Sequence, residues 1–163
     1  RVGLRSLKAE TVDSNFDRAC EFVVKTLEGH VSDDPNDSGG FTVWGLSSRY
    51  NPEVTRDMTY EQAKKIYRAK YWRLDCSRAD WPLDLCFFDG FVNPQDDPSV
   101  PGVGNDEIVK YLGPWESREP YRYAYAFLIL RADRYARRSA DRYVRGHIRR
   151  IGNLLRFIEN SKP

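Results

Sequence analysis

Between His30 and Ser48 the chain loses the helical periodicity that governs nearly all the rest of its length. The stretch HVSDDPNDSGGFTVWGLSS is punctuated by Pro35, Gly39, Gly40 and Gly45, residues that break helices and supply turns. Upstream, Phe16, Ala19, Cys20, Val23, Val24 and Leu27 recur at i, i+3, i+4 spacing, the apolar stripe of an amphipathic helix. Ser14 with Asp17 three residues later marks its start and Gly29 its stop, which predicts a helix from about Asn15 to Glu28. Any fold for this chain must therefore seat one irregular, glycine-rich segment directly after the first helix. Within that segment Phe41, Val43 and Leu46 are spaced for short strand-like pieces.

Helical signals resume downstream. Thr59 and Gln62 form a capping box for a second helix running through Ala63, Ile66 and Tyr67 to Trp72. Pro82 opens a third, with Leu83, Cys86, Phe87, Gly90 and Phe91 on one face. A loop over 93–105 and a short helix ending near Gly113 follow. Beyond Pro120, the segment YRYAYAFLIL is apolar nearly all round and is expected at the centre of the core. A last helix, Asp141 to about Asn160, should bury Val144, Ile148, Ile151, Leu155 and Ile158, leaving Arg142, Arg145, Arg149 and Arg156 on its other face.

Composition excludes several classes. With 40% hydrophobic and 31% charged residues the chain is neither disordered nor fibrous. Its longest apolar run, Ala124 to Leu130, is far short of a membrane span. The opening RVGLRSLKAE has neither the apolar stretch of a signal peptide nor a starting Met, so a processed or excised chain is expected. Cys20, Cys76 and Cys86 stand in no CxxC or Cys/His ligand spacing, and His30 and His147 are the two histidines. No metal and no cofactor are expected; the thiols read as small buried hydrophobes, and their odd number fits a reducing compartment. From Arg118 onward twelve Lys/Arg face four Asp/Glu, whereas the first 117 residues hold fourteen against twenty. An acidic front and a basic tail suggest two surfaces meeting different things.

The chemistry concentrates where the first helix meets the loop. Glu28 falls at the helix C-terminus, whose dipole disfavours an ionised carboxylate, and burial beside Leu27 acts the same way. A protonated carboxyl is what a general acid needs to protonate a glycosidic oxygen. Asp37 lies nine residues on, where the backbone N–H groups of Ser38, Gly39 and Gly40 can keep it ionised. Environments that set two carboxyls apart divide acid from base. The hydroxyl of Thr42 can orient a water against Asp37. Ordinary helix-to-turn connections use the same residue types, so these residues alone leave both readings open. A calcium loop over DDPNDSGG fails, because no acidic residue stands at the twelfth position. Trp44, Tyr50, Tyr67, Tyr71 and Trp72 can stack on sugar rings, with Trp44 and Tyr71 the cleft candidates.

The strings Glu28-Gly29-His30-Val31, Asp34-Pro35-Asn36-Asp37-Ser38-Gly39-Gly40, Thr42 and Trp44-Gly45-Leu46-Ser47 resemble the signature of glycoside hydrolase family 108. These are N-acetylmuramidases of the phage-endolysin and secretion-activator type. The likeness continues through Thr59-x-Glu61-x-Ala63, Ile66-Tyr67 and Tyr71-Trp72, then Phe88-Asp89-Gly90-Phe91-Val92-Asn93, to Arg142-Tyr143 and Gly146-His147-Ile148-Arg149-Arg150-Ile151. Departures stand at His30, in place of a second glycine, at Asn93-Pro94-Gln95, and at His147, in place of a Trp.

The resemblance implies a mainly α, lysozyme-like helical fold with a Gly-rich catalytic loop, and room for a small β-hairpin, after the first helix. It implies an N-terminal extension over 1–14, a catalytic region over 15–115, and Arg-rich C-terminal helices over 116–163 packed on the same domain. The implied activity is peptidoglycan hydrolysis at the β-1,4 bond between N-acetylmuramic acid and N-acetylglucosamine. Glu28 matches the family's catalytic Glu, with Asp37 and Thr42 as its partners. Asp89 and Asn93 match positions lining the cleft, and His30 stands beside the acid as a further substrate contact. Two rivals remain: a virion or wall-binding homologue with little or no turnover, and a lytic transglycosylase. Expected partners are peptidoglycan, anionic wall polymers or a membrane surface met by the Arg-rich helices, and other virion proteins; nucleic acid is not expected. A phage-encoded chain made in the host cytoplasm and acting at the wall, or carried on the virion, fits this reading.

Overall fold

The computed structural model describes residues 2–29, 31–32, 40–94, 103–137 and 144–162. His30 and Asp37 lie outside the described residues, as does Arg142. Helix α1 (Val2–Cys20) runs on into a wider, π-helical stretch (Glu21–Glu28). Three short strands follow, β1 (Val31–Ser32), β2 (Thr42–Val43) and β3 (Leu46–Ser47), forming an antiparallel sheet in that order. Helix α2 (Tyr60–Ile66) also ends in a π-helical turn, Tyr67–Tyr71. Then come α3 (Leu74–Arg78), α4 (Leu83–Val92), α5 (Val103–Leu112), α6 (Pro120–Arg137) and α7 (Val144–Glu159). This is the mainly α fold, with a small sheet after the first helical stretch, that a lysozyme-like chain requires. The chain forms two compact units, Arg1–Trp72 and Arg73–Pro163.

In the first unit the expected stripe is buried at Phe16, Ala19, Cys20, Val23 and Val24. The helix starts much earlier than Ser14 suggests, at Val2. From Leu4 to Glu28 no glycine or proline interrupts the chain, so a helix once nucleated extends towards the N-terminus. Asp13 and Asp17, on the turns flanking Ser14, are also engaged. Arg68 donates to Asp13 at 2.5 Å and Lys64 pairs with Asp17 at 2.9 Å. Trp72 closes the far side, its ring edge-on to Phe16 at 5.3 Å. The capping box of α2 is formed as expected: Gln62 N–H donates to the Thr59 hydroxyl, and Thr59 N–H donates to the Gln62 side chain at 2.8 Å.

In the second unit the centre is α4, not α6. Every residue from Leu83 to Phe91 is buried, including Asp84 and Asp89, whereas Ile129 on α6 is 62% exposed. The apolar run of α6 is sided after all. Tyr123, Phe127, Arg131 and Tyr135 face inward at four-residue intervals, with Ala124 and Leu128 beside them. On α7 the buried residues are Arg150, Ile151, Leu154 and Ile158; Ile148, expected inside, is 40% exposed. The reason is Arg150, which turns inward to a carboxylate and rotates the buried stripe away from Ile148. At Gly90 a Cβ would stand 2.0 Å from the Asn105 side chain, which donates to the Phe87 carbonyl at 2.9 Å. No other residue fits where α4 and α5 approach that closely.

Asp89 receives both arginines. Its Oδ2 accepts from Arg131 Nη1 at 2.6 Å, and its Oδ1 accepts from Arg150 Nε at 2.9 Å. Arg131 also donates to the Asn93 carbonyl and to the Tyr135 hydroxyl, both at 3.2 Å. Burial pushes the Asp89 carboxyl up, but the charges of Arg150 and Arg131 and their hydrogen bonds outweigh it and hold the group below its ordinary value. One carboxylate thus ties α4, α6 and α7 together.

The three thiols are free and buried. Burial pushes Cys20 up to about 11 and holds Cys76 and Cys86 above their ordinary values. Among the described residues, no helix is long and apolar enough to cross a membrane.

Asp89→Asn leaves two enclosed guanidinium groups without a counter-charge and should cost about 3–5 kcal/mol, read from urea unfolding midpoints. Because the folded-state carboxyl titrates below its unfolded value of about 3.9, its contribution is complete above that pH. It is lost as pH falls through the lower folded value, so midpoints measured against pH should drop below about pH 4.

Candidate active site

The first helical stretch delivers Glu28 to its C-terminal end, where Gly29 (φ 76°) stops it and donates to the Val24 carbonyl at 3.1 Å. That bond reaches back five residues, the π-helical spacing, which often marks functional positions. Glu28 is partly buried.

Facing it is the tip of a two-residue hairpin. Thr42 pairs with Ser47 and Val43 with Leu46, leaving Trp44 and Gly45 as the turn. Both have positive φ, 52° and 77°, the geometry of a type I′ turn. Glycine takes the second position freely. Tryptophan at the first is costly, and such strain persists only where the surroundings impose it. Three contacts do so. The Trp44 indole N–H donates to the Met58 carbonyl at 3.0 Å, and the Trp44 carbonyl accepts from the Tyr67 hydroxyl at 2.8 Å. The indole ring meets Tyr60 edge-on at 5.6 Å. Burial holds the Tyr60 phenol above its ordinary value, and Cys20 beside it acts the same way.

Gly45 has a second reason to be glycine. A Cβ there would lie 2.5 Å from Glu28 Cγ, 2.6 Å from Glu28 Cβ and 2.7 Å from the Tyr67 hydroxyl. The Glu28 stem therefore rests on bare backbone, with Tyr67 as the neighbouring wall. Tyr67 is fully buried, and its ring lies 5.2 Å from that of Tyr71. The Tyr71 hydroxyl accepts from Asn51 at 3.4 Å, and Asn51 donates to the Ser47 carbonyl at 3.2 Å. A ring of contacts, Trp44 to Tyr67 to Tyr71 to Asn51 to Ser47, thus closes around the hairpin.

Of the residues singled out in the sequence, Glu28, Thr42, Trp44 and Tyr71 all belong to the first unit, and the hairpin that carries Thr42 and Trp44 packs on Glu28. Asp37 and His30 fall outside the described residues. Asp89 does not line a cleft: it is 0% exposed and spends its oxygens on Arg131 and Arg150. Asn93 is partly buried, and its side-chain carbonyl accepts from the Tyr135 hydroxyl at 3.2 Å. Trp72 packs on Phe16, and Tyr50 is 52% exposed beneath the Arg49 guanidinium. Tyr67, offered by the sequence for stacking on sugars, is instead fully buried and frames the acid, while Asn51 carries no local signal of its role. Among the described residues no three His, Cys, Asp or Glu side chains are grouped to hold a metal.

Gly45→Ala should both strain the turn, by about 1–2 kcal/mol for a non-glycine residue in the left-handed region, and displace Glu28. A lowered melting temperature with a shifted Trp fluorescence maximum would report it.

Residues 21–94, just under half of the chain, match the model of the family described as Glycosyl hydrolase 108. No curated protein and no solved structure matches the chain. The matched segment contains Glu28, the hairpin that packs on it, and every other site residue proposed from the sequence. Residues 21–94 are thus similar to the glycosyl hydrolase 108 family, a likeness that supports a glycoside hydrolase.

Proposed function

We propose that the chain is a glycoside hydrolase of the N-acetylmuramidase kind, cutting the β-1,4 bond between N-acetylmuramic acid and N-acetylglucosamine in peptidoglycan. The observation that carries the reading is the seat of Glu28: a carboxyl at a helix C-terminus, fixed against Gly45 and Tyr67 inside the family-matched segment. Such a seat fixes the side chain that must deliver a proton to the leaving oxygen.

In this mechanism Glu28 protonates the glycosidic oxygen as the C–O bond breaks through an oxocarbenium-like state. Asp37, assisted by the Thr42 hydroxyl, activates a water on the opposite face of the sugar ring. The reaction then inverts the anomeric centre, which requires carboxyls about 6.5–9.5 Å apart. Trp44, in the hairpin turn, and Tyr71 are partly buried and offer aromatic faces to the sugars.

Turbidity clearing of purified peptidoglycan, with mass analysis of the fragments, tests the assignment. Glu28→Gln should lower the rate by about 10²–10⁴-fold, and wild-type fragments should carry reducing N-acetylmuramic ends. Fragments with 1,6-anhydro ends would make the enzyme a lytic transglycosylase. Absent clearing with retained co-sedimentation would make it a binding protein.

Following the first-formed anomer by NMR tests the stereochemistry. The α-anomer is expected from inversion, and the β-anomer would mean that Asp37 acts as a nucleophile instead.

A further inference from the structure

The basic residues of α7 divide into two kinds. Arg150 is buried on Asp89, while Arg145, Arg149 and Arg156 are exposed and, among the described residues, have no carboxylate partner. Other cations are matched to carboxylates: Lys70 with Glu53, Arg78 with Glu116, Arg134 with Glu107, Arg137 with Asp133. The one acid of α7, Glu159, is taken by Tyr125 and Lys162.

Helical geometry puts the three arginines in a line. At 100° and 1.5 Å per residue, positions 145, 149 and 156 fall within about 40° of one another over about 16 Å. The row stands opposite the buried stripe of Ile151, Leu154 and Ile158. Its borders are open: a Cβ at Gly146 or at Gly152 would meet nothing within 4 Å.

We propose that this row binds the linear phosphodiester polyanion of the bacterial wall, each guanidinium pairing with a phosphate along the polymer. Charge complementarity carries the proposal, and the shape of the row selects the partner. An anionic bilayer is flat and rewards protruding apolar side chains, yet Ile148, at 40% exposure, is the single large apolar side chain exposed on α7. Single-stranded nucleic acid is held by aromatic platforms between the cations, and the exposed face of α7 carries no aromatic residue. A narrow, open cationic line suits a chain of phosphates lying along the helix. The choice of the wall as the source rests on the reading of the protein as a peptidoglycan hydrolase.

The test is titration of the full chain with poly(glycerol phosphate) by calorimetry. With three phosphates neutralised, affinity should fall about 20-fold between 50 and 200 mM salt, taking the slope found for single-stranded polyanions. The triple variant Arg145→Gln, Arg149→Gln, Arg156→Gln should bind at least about tenfold more weakly. It should clear polymer-free peptidoglycan at the wild-type rate. A control pair, Arg78→Gln with Arg137→Gln, removes cations that already have partners and should bind like wild type. The Glu28→Gln variant should bind the polymer normally, which separates failure of this proposal from failure of the enzymatic one. Equal binding by wild type and the triple variant overturns the proposal. So does tighter binding to phosphatidylglycerol vesicles or to oligo-dT than to the polymer.

Discussion

The first two carbons of the Glu28 side chain lie where a side chain on Gly45 would have to stand. This one contact sets the demands on its surroundings. The turn must be glycine at its second position, and the hairpin must come close enough for its tip to touch the helix end. Trp44, forced into positive φ as the first turn residue, must be held by Met58, Tyr60 and Tyr67. The π-helical stretch before Glu28 belongs to the same arrangement, since its wider turn decides where on the helix end the carboxyl emerges. The site is therefore built from a helix terminus and a braced turn, elements with little freedom to drift. Catalytic groups need that rigidity.

In the second unit the same logic uses charge instead of shape. Asp89 is wholly enclosed, and an enclosed carboxylate is tolerable only with its partners in place. Arg131 and Arg150 supply them from two different helices. Because each arginine would also be stranded alone, the three groups are retained or lost together. Asn93 and Tyr135 extend the network at its edge.

Much of the fold was legible in local pattern. The stripe of the first helix, its stop at Gly29, the capping box at Thr59, the opening of the third helix at Pro82 and the helix ending near Gly113 all follow from spacing and turn chemistry. What failed was non-local. Asp89 finds its partners 42 and 61 residues away, so nothing near it in the sequence distinguishes a buried ion from a cleft residue. Arg150 sits inside for the same reason, and its inward turn is what misplaced Ile148. The helix start at Ser14 was a real capping signal overridden by residues on either side that prefer to continue the helix. The short strands at Val43 and Leu46 were legible, but Trp44 as the first turn residue was not, because tryptophan is not a turn residue; its place depends on Tyr67, 23 positions downstream. The resemblance to the family located Glu28, while the reason Gly45 accompanies it needed coordinates.

The three enclosed thiols carry a consequence for how the molecule meets its chemical surroundings. A thiol exchanges or oxidises through its thiolate, and in Cys20, Cys76 and Cys86 burial suppresses that form while shutting out reagents. The covalent structure of the folded chain is thus the same in reducing and in oxidising media. Moving between the two would cost the protein neither a scrambled disulfide nor an unwanted covalent dimer, with no bridge to form and none to break.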